Sequence, residues 1–201
     1  MDFLGCGKSD RLVDWPADLW YEWGQQVAAL CHHLDLSRIN VVGCSGGALA
    51  AINFALEHPE LINAVIADSF VGIRADADLT QQIITGRSYA KQIDEFCMVL
   101  KDMHGDDWEA VFDADTDALT RHAQEVNEYF HHPLSEIQVK LMLTGSAADE
   151  MFPKRHYEKL FGDICAQTRN AKTKLFMQGT HPAMMSNQSE FVELIKQFCS
   201  I

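Results

Sequence analysis

Ser45 stands in Gly43-Cys44-Ser45-Gly46-Gly47, where the apolar run at residues 39–42 gives way to the small residues Ala48, Ala50 and Ala51. A serine on a sharp strand-to-helix turn between glycines is arranged to attack a carbonyl carbon, because the turn lifts its hydroxyl clear of the sheet. The helix that follows would aim free N–H groups and the positive end of its dipole at the same point, which favours a developing oxyanion. The backbone N–H of Gly46 is the expected oxyanion-hole donor. Such a turn also asks for neighbours nearly free of side chain, a part taken by Gly43, Gly46 and Gly47.

A serine of this kind needs a base, and the base needs an orienting carboxylate. Asp149 follows the apolar strand pattern at 139–143, in Gly145-Ser146-Ala147-Ala148-Asp149 and on to Pro153. His181 follows the pattern at 173–177, in Gln178-Gly179-Thr180-His181-Pro182. The chain order Ser, Asp, His, each member just past a strand, fits acyl transfer in a parallel α/β fold. Asp68, directly after the strand pattern at 64–67, is the alternative acid.

Other candidates carry less. Cys31-His32-His33 and His131-His132-Pro133 lack the His-x-x-x-His or Glu-flanked frame that converges ligands, so no metal site is expected, and no cofactor. Cys44 reads as a small turn residue pointing into the core. Phe70, Met98, Met103, Trp108, Phe112, Tyr129 and Phe130 stand at helical spacing; packing accounts for most of them, with an acyl pocket as the alternative use.

The elements that must position these residues alternate. Short apolar strands at 39–42, 64–67, 139–143 and 173–177 are separated by helical patterns at 19–34, 46–58, 154–161 and 188–198. That is an α/β architecture with a mostly parallel sheet. The stretch from 70 to 133 breaks the alternation and reads as four helices, around 79–85, 89–103, 108–112 and 119–130. It is expected to form a helical cap (70–133) on a core made of 1–69 and 134–201. The chain of 201 residues is long enough for one such domain.

A formal net charge of −13, with 16 Lys and Arg against 29 Asp and Glu, argues against nucleic acid or an anionic membrane as partner. Much of the acid excess lies between 76 and 117 and reads as solvated helix faces. Six dispersed cysteines without Cys-x-x-Cys suggest a reducing compartment. With neither a leader pattern nor an apolar run of spanning length, the expected location is cytoplasmic.

Taken together, these residues resemble the α/β-hydrolase fold superfamily, in its esterase, lactonase and peptidase-like branch, over essentially the whole chain. Asp2-Phe3-Leu4-Gly5-Cys6-Gly7-Lys8-Ser9 looks like the family's Asp-x-x-Gly-x-Gly-x-Ser segment after its fourth strand. Asp149 with Pro153 is similar to the acid loop, although Gly145 lies one residue further back than usual. His181 with Glu190-Phe191 matches the histidine loop and final helix. Residues 16–36 are loosely similar to valacyclovir hydrolase-like members, but those carry Asp after the serine where Gly46 stands here, so their amino-acid ester preference is not carried over.

The resemblance implies a serine hydrolase acting on a small ester, lactone or related acyl compound. It also implies strands ahead of Met1, and a loop among them that supplies a second oxyanion donor. Without them, residues 39–42 become an open sheet edge. The alternative expectation is therefore an N-terminally truncated, weakly active or non-catalytic chain, prone to aggregate or to form a homo-oligomer through that edge.

Overall fold

The structure, a computed structural model, describes residues 1–200. Four strands, β1 (Ile39–Cys44), β2 (Ile62–Asp68), β3 (Lys140–Ser146) and β4 (Ala171–Phe176), form one sheet in the order β1-β2-β3-β4. Every neighbouring pair is parallel. The two central strands are covered on both faces, which is why they read as continuous apolar runs and not as alternating ones. Register places Cys44 opposite Asp68 and Asp68 opposite Thr144, so the chain leaves successive strands along one carboxyl edge.

Helices α1 (Leu19–His33), α2 (Gly46–Glu57) and α6 (His156–Gln167) enclose one face of the sheet. Val65, Ala67, Leu141 and Leu143 meet Leu19, Leu49, Phe54, Leu160 and Ile164 in a single core cluster there. A smaller cluster on the opposite face joins Ala64, Ile66, Met142 and Phe176 to α7 (Ala183–Ser186) and α8 (Gln188–Cys199). Phe191 is the buried anchor of α8, with Leu194, Ile195 and Phe198 packed beside it. This is a three-layer α/β/α sandwich.

Strand β1 lies at the sheet edge, and its exposed Asn40 and Val42 are in register with Ala64 and Ile66, on the same face of the sheet as α8. Val42 is 37% exposed. Leu30, Leu34 and Leu36 are exposed as well, although Leu30 and Leu34 continue the three- and four-residue apolar steps of Leu19, Trp20, Trp23 and Val27 along α1.

Between β2 and β3 run three helices, α3 (Ala77–Ala90), α4 (Asp94–His104) and α5 (Trp108–Arg121), where the sequence pattern suggested four. Residues 108–112 and 119–121 belong to one continuous α5. A π-helical turn follows at His122–Val126, and Asn127 at φ 71° ends it. The local reason is His122, which is wholly buried, stacks on Tyr129 at 4.8 Å and bonds through Nδ1 to Ala17 O at 3.0 Å. Of the residues expected mostly to pack, with an acyl pocket as the alternative use, Phe70, Phe112, Tyr129 and Phe130 are buried, while Met98 and Met103 are exposed.

Candidate active site

Ser45 occupies φ 53°, ψ −124°, directly between β1 and α2. A non-glycine residue in this region is strained and needs surroundings that hold it there. Here the Ser45 N–H donates to Asp68 O at 2.8 Å, locking the turn to the end of β2. A Cβ on Gly43 would stand 2.1 Å from Gly47 O, so the turn requires glycine at that position. On Gly46 it would stand 2.7 Å from Trp20 Nε1. Gly47 differs from expectation: a Cβ there meets nothing within 4 Å. The turn is tight on only one side of that residue.

His181 Nδ1 donates to Asp149 Oδ2 at 2.9 Å, with both side chains nearly enclosed. Tyr157 Oη donates to the same oxygen at 2.6 Å, and Met151 N–H reaches Oδ1 at 3.0 Å. Burial pushes the Asp149 carboxyl up, but the bonds from His181, Tyr157 and the Met151 amide outweigh it and hold the group below the ordinary carboxylate range. Burial, and then the Asp149 charge, drive the Tyr157 phenol far above its usual value, so it stays a donor. Gly145 is the floor on which Tyr157 lies; a Cβ there would fall 2.7 Å from the ring.

Neighbouring bonds fix the two loops to each other. Ser146 Oγ donates to Gly179 O and accepts Ala148 N–H at 3.1 Å, while Glu150 accepts the His181 backbone N–H at 3.2 Å.

Asp68 plays a different part. It is wholly buried, accepting from Thr144 Oγ1 at 2.6 Å and from Met184 N–H at 2.9 Å. Ser69 Oγ accepts Ala183 N–H at 2.9 Å. The pair therefore grips the backbone just beyond His181, while the imidazole bond goes to Asp149. Burial raises the Asp68 carboxyl, and its hydrogen bonds only partly offset that.

Ser45, Gly46 and Gly47 open onto a cavity of about 230 Å³. Its walls are mostly apolar: Trp20, Trp23, Leu49, Leu119, Met151 and Phe152. Phe152 also meets the His181 ring edge-on at 5.6 Å, so the cavity reaches the histidine's neighbour. One ion pair, Arg87–Asp115, shares the cavity, with the guanidinium 4.4 Å above the Phe112 ring. A larger, more open groove of about 780 Å³ between residues 71–79 and 153–163 contains neither Ser45, Asp149 nor His181. Burial raises the Cys44 thiol, which keeps it protonated and unreactive.

Sequence reasoning missed Tyr157, Arg87 and Asp115. Their contribution comes from long-range contacts that no local spacing reports. Trp20 and Trp23 stand on the buried face of α1, and no local spacing marks them as walls of this cavity.

Residues 1–85 match a family model described as the alpha/beta hydrolase fold. Among solved structures, NosK from Streptomyces actuosus superposes with a TM-score of 0.74 at 17% identity, covering 98% of this chain and 83% of that one. A meta-cleavage product hydrolase, CumD, from Pseudomonas fluorescens IP01 gives a TM-score of 0.71 at 14% identity, covering 98% and 77%. A serine hydrolase involved in carbazole degradation, CarC, gives 0.73 at 19%, covering 100% and 78%. No curated protein sequence matches. The chain has the α/β-hydrolase fold.

Proposed function

We propose that the protein is a serine hydrolase acting on a small ester, lactone or related acyl substrate, with Ser45 as nucleophile, His181 as base and Asp149 as its orienting acid. The supporting observation is the enclosed His181–Asp149 hydrogen bond at 2.9 Å on the sheet edge where Ser45 occupies a strained turn. Ser45 attacks the carbonyl carbon as its proton passes to His181 Nε2. Asp149 holds Nδ1–H and stabilises the imidazolium; water then releases the acyl group. The helices from 77 to 121 act as a cap, contributing Ile83, Arg87, Asp115 and Leu119 to the cavity. A fluorophosphonate probe tests this. Stoichiometric labelling that is lost in Ser45→Ala and weakened in His181→Ala is expected; a folded protein that does not label overturns it.

The open edge of β1 favours a second reading, in which the chain pairs with a copy of itself and turns over weakly. Sedimentation of the labelled and unlabelled protein distinguishes the two, since a monomer with full turnover removes the second.

A further inference from the structure

Ser69 repeats, one strand over, the backbone of Ser45. It follows β2 as Ser45 follows β1, and the two residues stand at φ 54° and φ 53°. Each is pinned through its amide to the neighbouring strand. Ser45 N–H donates to Asp68 O at 2.8 Å, and Ser69 N–H donates to Thr144 O at 2.8 Å. A non-glycine residue keeps such a conformation only where its surroundings fix it, and Ser69 is wholly buried. Enclosed in this way it does not meet a substrate, so any part it takes in the reaction runs through its neighbours.

Those neighbours reach all three members of the site. The carbonyl just before Ser69, that of Asp68, holds the Ser45 turn. Ser69 Oγ accepts Ala183 N–H at 2.9 Å and Asp68 Oδ2 accepts Met184 N–H at 2.9 Å, so the first two amides of α7 are gripped from the end of β2. Only Pro182 separates that grip from His181, and its ring fixes φ and leaves little torsional slack between them. The third link is Tyr157, which donates to Asp149 at 2.6 Å. Burial raises both the Tyr157 phenol and the Asp68 carboxyl, and the Ser69 hydroxyl works against burial at each, as a donor facing them does. One hydroxyl thus stands between the loop that carries the base and the side chain that supports the acid.

We propose that Ser69 is a positioning residue for His181: its hydroxyl holds the histidine loop in register with Asp149 and Tyr157, keeping Nδ1 on the carboxylate and Nε2 free for the Ser45 proton. The proposal deepens the serine-hydrolase reading above and rests on it. A hydroxyl suits the place because it accepts one amide and still has a hydrogen to donate. Without it, the Ala183 N–H loses its acceptor in a buried site and the loop loses its tether. The walls of the Ser45 cavity do not include Ser69, so the loss falls on kcat and not on KM.

Two variants separate the hydroxyl from the strained backbone. Ser69→Ala removes Oγ and keeps a side chain at φ 54°; Ser69→Gly removes Oγ and relaxes the backbone, which favours folding. With a p-nitrophenyl ester, kcat should fall about 10- to 100-fold in both, with KM changed by no more than roughly twofold. The downfield proton NMR signal of His181 Nδ1–H should broaden or weaken in both. Where Ser69→Ala does not fold, Ser69→Gly carries the test alone. Wild-type kcat in Ser69→Gly overturns the proposal and leaves Ser69 a strained turn residue only. A lowered thermal midpoint with kcat and the Nδ1–H signal unmoved also overturns it, assigning Ser69 to packing. Failure of the folded wild-type protein to label with a fluorophosphonate overturns the serine-hydrolase reading instead, and the Nδ1–H signal of the variants still reports whether Ser69 holds His181.

Discussion

Tyr157 and His181 donate to one and the same oxygen of Asp149, and the tyrosine bond is the shorter, 2.6 Å against 2.9 Å. The hydroxyl therefore draws electron density from the oxygen that must stabilise the imidazolium. Tyr157→Phe removes that competitor and leaves the ring packed on Gly145. The Asp149 carboxyl should become more basic, so the acid limb of the kcat/KM profile, which reports the Asp149–His181 pair, moves to higher pH. Stability should fall by about 1–3 kcal/mol, the usual cost of stripping a buried acceptor of a donor. An unmoved acid limb with a lowered urea midpoint would reduce Tyr157 to a packing residue.

Two buried carboxylates lie near the histidine loop, and they predict different losses. Asp149→Asn alters the group bonded to Nδ1 and should lower kcat by roughly 10⁴-fold with little effect on substrate binding. Asp68 meets backbone and Thr144 instead, so Asp68→Asn should keep activity within about tenfold while lowering the thermal midpoint. Ester turnover at 25 °C, measured beside thermal melts, separates the two. The reverse ranking would make Asp68 the acid.

How much of this was legible beforehand follows from which forces are local. Strands at residues 39–42 and 64–67 announce themselves by apolar runs, and the structure extends them to Ile39–Cys44 and Ile62–Asp68. Ser45, Asp149 and His181 stand out because a strand end, a turn and chain order are all local features. Tyr157 does not, since its meaning depends on Asp149 eight residues away and on the bare floor at Gly145 in another element. Likewise the merging of two expected helices into α5 rests on tertiary contacts, and the break after it on His122 meeting Ala17 O. Periodicity is blind to a partner 105 residues off.

The glycines of the turn make a graded test. Gly43→Ala forces a Cβ to 2.1 Å from Gly47 O, backbone that cannot step aside, and should cost several kcal/mol or prevent folding. Gly145→Ala strikes the Tyr157 ring and should cost about 1–3 kcal/mol while disturbing the Asp149 bond. Gly47→Ala enters open space near the start of α2, and alanine's helix preference should make it neutral or stabilising by up to about 1 kcal/mol. Urea midpoints of the three variants give the ranking; a destabilised Gly47→Ala would contradict it.

Three histidines set the pH range over which the fold is firm. His104, His122 and His156 are all held below the ordinary imidazole value, with burial the leading cause in each. His104 accepts Gly7 N–H at 2.9 Å, with Arg11 as a second cause of its low value. Asp18 works the other way on His122, but burial prevails. A depressed folded value means that the unfolded chain takes up these protons first as the pH falls. The stability they contribute is therefore complete above about pH 6.5 and is lost progressively below it. Asp149, also depressed, adds its own loss only near the carboxylate range, well below that window. Urea midpoints should change little between pH 7.5 and about pH 6.5 and then fall towards pH 5.0, and His122→Gln, which cannot be protonated, should flatten part of the slope. A midpoint that stays constant across the interval would show that these imidazoles do not bind their protons in the order the structure requires.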